Sequence, residues 1–361
     1  MKKTFVILTI VLAMLAAPVF AEVTASGEVN YAWGFNADDY EENIDTNDMV
    51  INLGGTVGEY TSIAAEFEGE NDLSGNVSAG GNSYAVSMNT MEITQDVTGA
   101  LGIDAGVSVA LTVGIEDFDP KEYNDMAYGD FDLDGEINPG TVMTKVSLGF
   151  QDMVTVDAAV YEKGLGVNAY GNIADMADVS VYYMMDFAVT SWDKATEIAT
   201  ITDAKDFNIL GANAAIMVMD GLKLGAGFEM ASWDTSSVYE SWTVYGVSAV
   251  YTMDALTATL GTNTDVYEDS DFGEETDVAI AVDYAVNEMI SVNAAYKMPI
   301  DAGTADLADV MGYEVGVKAA VDGVTYKAGY ALGSDNNAFD GGFMDGTDRA
   351  GNFYLKMSAS F

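Results

Sequence analysis

Carboxylates are the only reactive groups that this chain holds in quantity. Its 361 residues include 58 Asp and Glu against 13 Lys and Arg, with no His and no Cys, for a formal net charge of −45. Without imidazole or thiolate the usual nucleophile, general-base and soft-metal chemistries are closed. Carboxylate pairs suited to glycoside hydrolysis are numerous only because acids are numerous, so no enzyme is expected. The acids are dense between 117 and 140, where Asp117, Asp119, Glu122, Asp125, Asp130, Asp132, Asp134 and Glu136 stand against the single Lys121. Such a segment attracts cations. Within it Asp130, Asp132 and Asp134 alternate, Gly135 permits a bend and Asn138 follows, a spacing of oxygen ligands with which a loop can wrap Ca2+. Thr141 then stands where a bidentate carboxylate would complete the shell. Calcium binding and a solvated acidic turn both remain open for this stretch, and no other cofactor is expected. Nucleic acid is excluded as a partner, because a phosphate-binding surface needs a basic patch.

The few lysines are placed with more order than the acids. Lys145, Lys223, Lys297, Lys318, Lys327 and Lys356 all fall in segments of alternating polarity, and each lies on the polar side. Lys318 and Lys327 are equally distant from the turn signal Asp322-Gly323, and Lys356 lies a similar distance before Phe361. On paired strands these three would form a basic ladder, with Lys145 as a further member. The plainer reading, solvated lysines that pair with nearby acids, stays beside it.

The elements that must position these groups are strands. Val23, Ala25, Gly27, Val29, Tyr31, Trp33 and Phe35 alternate with polar or small residues, and so do Val179, Val181, Tyr183, Met185, Phe187 and Val189, and later Val324, Tyr326, Ala328, Tyr330 and Leu332. Tight turns are expected at Gly58-Glu59, Gln151-Asp152, Asp175-Met176-Ala177, Met219-Asp220-Gly221, Asp254-Ala255, Asn287-Glu288 and Asp322-Gly323. Between them lie polar segments at about 36–48, 69–83, 117–140, 190–206, 233–239, 265–275, 299–308 and 333–350, with a short one near Glu162 to Gly164. Short turns on one rim and long loops on the other predict an all-β, transmembrane antiparallel barrel of about 16–18 strands. The span from Asp96 to Asp104 reads equally as a turn, a short helix or another strand. Aromatic residues at strand ends, among them Trp33, Phe35, Tyr60, Phe150, Phe187, Phe228, Tyr284, Tyr296, Tyr326, Phe353 and Phe361, suit interfacial girdles.

The N-terminus supplies the compartment. Lys2 and Lys3 precede an apolar run from Phe5 to Ala17, and Val19-Phe20-Ala21 offers small residues to a signal peptidase, which predicts a signal peptide over 1–21 and a barrel over 22–361. The run is too short to span a bilayer as a helix.

Signal segment, alternating strands, tight turns opposite long loops and a last strand that ends in Phe361 together resemble the general diffusion porins of Gram-negative outer membranes. The resemblance covers the architecture of the whole mature chain rather than its close sequence. It implies a water-filled channel for passive diffusion of ions and small hydrophilic solutes. It also implies outer-membrane lipid around the barrel, a homotrimer, and barrel-assembly machinery that reads the terminal Phe361. In that family the third outer loop folds inward and narrows the bore opposite basic residues. Carried over, this makes the acids of 117–140 one side of a constriction and Lys145, Lys318, Lys327 and Lys356 the basic wall. The chain departs from the family in having no arginine cluster on that wall; Arg349 is its only arginine. The surplus of acids, with Glu28, Glu66, Glu116, Asp157, Asp186, Glu229, Asp277 and Asp283 on polar faces, favours cations weakly. A substrate-specific channel, or an acidic surface-layer or adhesive β-protein, are the alternatives.

Overall fold

The computed structural model of the chain describes residues 20–36, 42–43, 48–71, 84–103, 106–115, 118, 120–121, 123, 142–151, 153–161, 164–173, 176–186, 207–233, 242–267, 274–302, 312–332 and 352–360. In chain order the strands are β1 (Phe20–Asn36), β2 (Glu42–Asn43), β3 (Asp48–Val57), β4 (Thr61–Asn71), β5 (Tyr84–Asp96), β6 (Val107–Ile115), β7 (Met143–Phe150), β8 (Val154–Val160), β9 (Gly164–Ile173) and β10 (Ala177–Asp186). They continue with β11 (Phe207–Met219), β12 (Leu222–Trp233), β13 (Trp242–Met253), β14 (Leu256–Tyr267), β15 (Glu274–Ala285), β16 (Ile290–Ala302), β17 (Gly312–Val321), β18 (Val324–Leu332) and β19 (Asn352–Ser360). The two-residue β2 only extends the ladder at the end of β1, so eighteen staves remain.

Each stave pairs antiparallel with the next along the chain, and β19 returns to β1 in register from Glu28↔Ser360 to Asn36↔Asn352. The sheet is therefore closed. Closure removes the unpaired strand edges that lipid would penalise. The ladder between β1 and β3 runs unbroken from Val23, just after the expected mature start, with an irregularity between Phe20 and Val23. Residues 1–19 of the expected signal segment lie outside the described residues.

Alternation decides which face is which. In β10, Ser180, Tyr182 and Met184 are each 1% exposed, whereas Val181 and Tyr183 between them are 53% and 38% exposed. The apolar set faces outward and the bulky or polar set lines the bore. Neighbouring staves continue the outward belt with Leu210, Phe228, Tyr245, Leu260, Ile280, Val315, Phe353 and Leu355, all exposed. A belt this continuous is what hydrocarbon requires and what a water-soluble surface avoids. Every one of the six strand lysines has an exposed apolar chain neighbour (Val146, Leu224, Met298, Val317, Tyr326 or Leu355), which places each ammonium on the inward face. No helix among the described residues is long and apolar enough to cross a membrane, a test that does not bear on barrels, which cross with strands.

The turn chemistry sets the two rims. Asp322 (φ 50°) and Gly323 (φ 81°) both take left-handed conformations and join Val321 to Val324, the geometry whose twist matches two antiparallel strands. Asn287 builds its turn differently: its Oδ1 accepts from the backbone N–H of Met289 at 2.8 Å and of Ile290 at 3.0 Å. The ambiguous span after β5 is a helix, α1 (Val97–Leu101), capped by the Asp96 carboxylate on the Gly99 N–H at 2.8 Å and closed by left-handed Gly102. With that assignment the barrel has eighteen staves rather than sixteen. The long connections all fall on the opposite rim, and the third of them, 116–142, contains the acidic segment.

Candidate pore constriction

Among the described residues of the third long connection are Phe118, Pro120, Lys121 and Tyr123, and they lie inside the barrel. Phe118 is only 3% exposed and belongs to an apolar cluster with Met143, Ala159, Tyr161, Tyr182, Met184, Ile209, Ala231 and Val244. Apart from Tyr161, which follows β8, these residues come from the inward faces of β7, β8 and β10 to β13. Gly166 on β9 makes room for the ring, since a Cβ there would stand 2.4 Å from it. An aromatic side chain in an otherwise acidic loop thus finds an apolar seat on the wall.

Three and five residues further on, the loop is held by polar contacts. Asn213 projects from β11 into the bore and is 4% exposed. Its Oδ1 accepts from the backbone N–H of Tyr123 at 2.9 Å, and its Nδ2 donates to the carbonyl of Lys121 at 3.3 Å. Burial, with the nearby Asp178 carboxylate adding to it, raises the Tyr123 phenol above its ordinary range.

The bore wall carries two buried carboxylates gripped in the same manner. Tyr182 on β10 reaches over Gly211 of β11, where a Cβ would meet the ring at 2.0 Å, and donates its hydroxyl to Glu229 Oε2 on β12 at 2.7 Å. Tyr354 on β19 lies over Gly329 of β18 and donates to Glu314 on β17. In both, a glycine on the middle strand lets a tyrosine span two strands and tie a carboxylate down. A hydrogen bond to a charged group of this kind contributes about 1.5–3 kcal/mol.

The lysines expected as a ladder stand in one row. Lys318 pairs with Lys327, and Lys327 pairs with Lys356, so three cations face the bore on adjacent strands. Like charges directly opposite one another repel. Glu314, on the same wall, interacts electrostatically with both Lys327 and Lys356 and offsets part of that repulsion. Lys145 is elsewhere, on β7, paired with Thr112 and Ala159. Lys297 forms an ion pair with Asp277 at 3.2 Å. Counted around the eighteen staves, β17, β18 and β19 stand opposite β8, β9 and β10, which belong to the wall that receives Phe118.

The other expected site residues do not all enter this geometry. Asp117, Asp119, Glu122, Asp125, Asp130, Asp132, Asp134, Glu136 and Asn138 lie outside the described residues, as do Glu116 and the terminal Phe361. Among the described residues no cluster of acids has the make-up of a metal site. Sequence reasoning missed Phe118, Asn213, and the Tyr182–Glu229 and Tyr354–Glu314 pairs. Phe118 is one of four aromatics in the acidic loop, with Tyr123, Tyr128 and Phe131, and nothing local set it apart; one asparagine among many gave no signal for Asn213 either.

No protein-family model matches the sequence, and no curated protein matches it either. Solved structures do. A mutant of the porin of Rhodopseudomonas blastica is 14% identical with a TM-score of 0.50, over 94% of this chain and 100% of that one. A Salmonella typhi OmpF in complex with daunomycin is 9% identical with a TM-score of 0.56, over 94% of this chain and 97% of that one. At such identities the likeness is one of fold. The chain has a general diffusion porin-like fold.

Proposed function

We propose that this chain is an outer-membrane porin, a water-filled channel through which ions and small hydrophilic solutes diffuse passively, with a weak preference for cations. The observation that carries the reading is the division of the closed sheet into an apolar exterior and a bore wall bearing the strand lysines and acids. Export by the N-terminal segment, assembly through the terminal Phe361 and a homotrimeric state belong to the same proposal. A channel accounts for the buried polar network without any catalytic group.

The selectivity follows from charge. The chain's acids outnumber its bases by 58 to 13, and low-dielectric walls focus their field on the bore. At about 0.15 M salt the screening length is about 8 Å, so the preference is modest and falls as salt rises. Purified protein in planar bilayers should give discrete conductance steps and a reversal potential of cation-preferring sign across a salt gradient. The triple variant Lys318→Gln, Lys327→Gln, Lys356→Gln should raise the cation-to-anion permeability ratio roughly two- to five-fold, corresponding to about 0.4–1 kcal/mol for solvated charges of this kind. Protein that stays monodisperse without detergent and leaves liposomes sealed would instead be a surface or adhesive β-protein. An anion-preferring wild type would overturn the selectivity and leave the channel standing.

A further inference from the structure

We propose that Asn213 is the positioning residue that holds the third long connection, at Lys121 and Tyr123, against the bore wall, and so sets the width of the channel there; this rests on the channel reading above. The geometry is that of a strand pairing in miniature. A side-chain amide carries one carbonyl acceptor and one N–H donor, as a peptide unit does. Asn213 uses both on residues two apart in the chain, accepting from the N–H of Tyr123 and donating to the carbonyl of Lys121. Only one of the two amide orientations satisfies both bonds. The loop cannot pair with the wall backbone itself, because every stave is already paired on both sides. A side chain that imitates backbone solves that problem.

Position and surroundings support the assignment. Asn213 is 4% exposed, and both polar atoms of its amide are taken up by Lys121 and Tyr123. It pairs across β12 with Gly227, which leaves space beside the amide, and across β10 with Ser180, whose hydroxyl is committed to Asn168 at 2.9 Å. Neither neighbour competes for the amide. Phe118, three residues before Lys121, fixes the first end of this stretch through apolar contact, and Asn213 fixes the second through polar contact. Two unlike attachments divide the work: the first holds the loop to the wall, and the second fixes how far it stands into the bore.

Single-channel recording on the full-length protein tests this. Asn213→Ala removes both bonds, and the ratio of dwell times between the wild-type current level and a new, higher level should shift toward the higher by roughly ten- to thirty-fold. Asn213→Asp retains the acceptor for the Tyr123 N–H and loses the donor, so its ratio should fall between the two. Because the chain has no cysteine, the pair Asn213→Cys and Tyr123→Cys would hold its only thiols. Oxidised, that channel should stay at the wild-type level; reduced, it should behave as Asn213→Ala does. A folded Asn213→Ala channel with a single wild-type level, or a cysteine pair whose current ignores reduction, overturns the assignment while the porin reading stands. Wild-type protein that forms no channel at all overturns both.

Discussion

Leu260→Arg is expected to cost the folded barrel about 2–4 kcal/mol, while Thr259→Arg, one residue earlier on the same strand, should change stability by less than about 1 kcal/mol. Leu260 is 51% exposed on the outward face of β14 and lies between Ala249 and Ile280, so on the membrane reading an arginine there meets hydrocarbon. Thr259 points the other way, beside Val250 and Ala281, where a guanidinium reaches water and the acids of the bore. A protein of ordinary stability has about 5–15 kcal/mol in total, so the outward substitution removes a large share of it. Urea unfolding of the barrel refolded into lipid vesicles measures the difference, and Leu260→Ala controls for lost side-chain volume. Equal losses for the two arginines would mean that both faces meet the same solvent, and the membrane reading would fail with them.

The same alternation explains why so much of this architecture was legible beforehand. A period of two cannot be shifted without turning every apolar side chain of a strand into the bore, so residues such as Val181 and Tyr183 fix their own register. Turns were legible for a related reason, since Asp322-Gly323 demands a conformation that few other pairs adopt cheaply. Lys318 and Lys327 followed from their equal distance to that turn, and Lys356 from its distance to Phe361. Asn213 is different. Its role depends on a segment 90 residues away in sequence arriving opposite it, and nothing in local pattern encodes that meeting. The tyrosine grips were hidden likewise: Tyr182, Gly211 and Glu229 become one unit only when three strands are laid side by side in their observed register. What was hidden is therefore the set of contacts made across the bore wall, and what was visible is the wall.

The reach of the loop into the bore can be tested from its first attachment. Phe118→Ala should lower the docking of the 116–142 loop by about 3–5 kcal/mol, the usual loss for truncating a buried phenylalanine. That corresponds to roughly two to four orders of magnitude in the docked-to-undocked ratio. Such a change exceeds what the two hydrogen bonds of Asn213 supply, so the second attachment alone should not retain the loop. Mean conductance should therefore rise, and polymers of larger radius should enter the channel and reduce its current. The strand ladders are untouched by the substitution, so resistance of the barrel to urea should drop far less than loop docking does. Gly166→Val offers an independent route to the same state, because its Cβ would sit 2.4 Å from the Phe118 ring and displace it. If both variants keep the wild-type polymer cut-off while the barrel itself becomes easier to unfold, Phe118 is packing for the wall. The loop would then narrow nothing, and the opposition of β17, β18 and β19 to the receiving wall would have no bearing on what passes through.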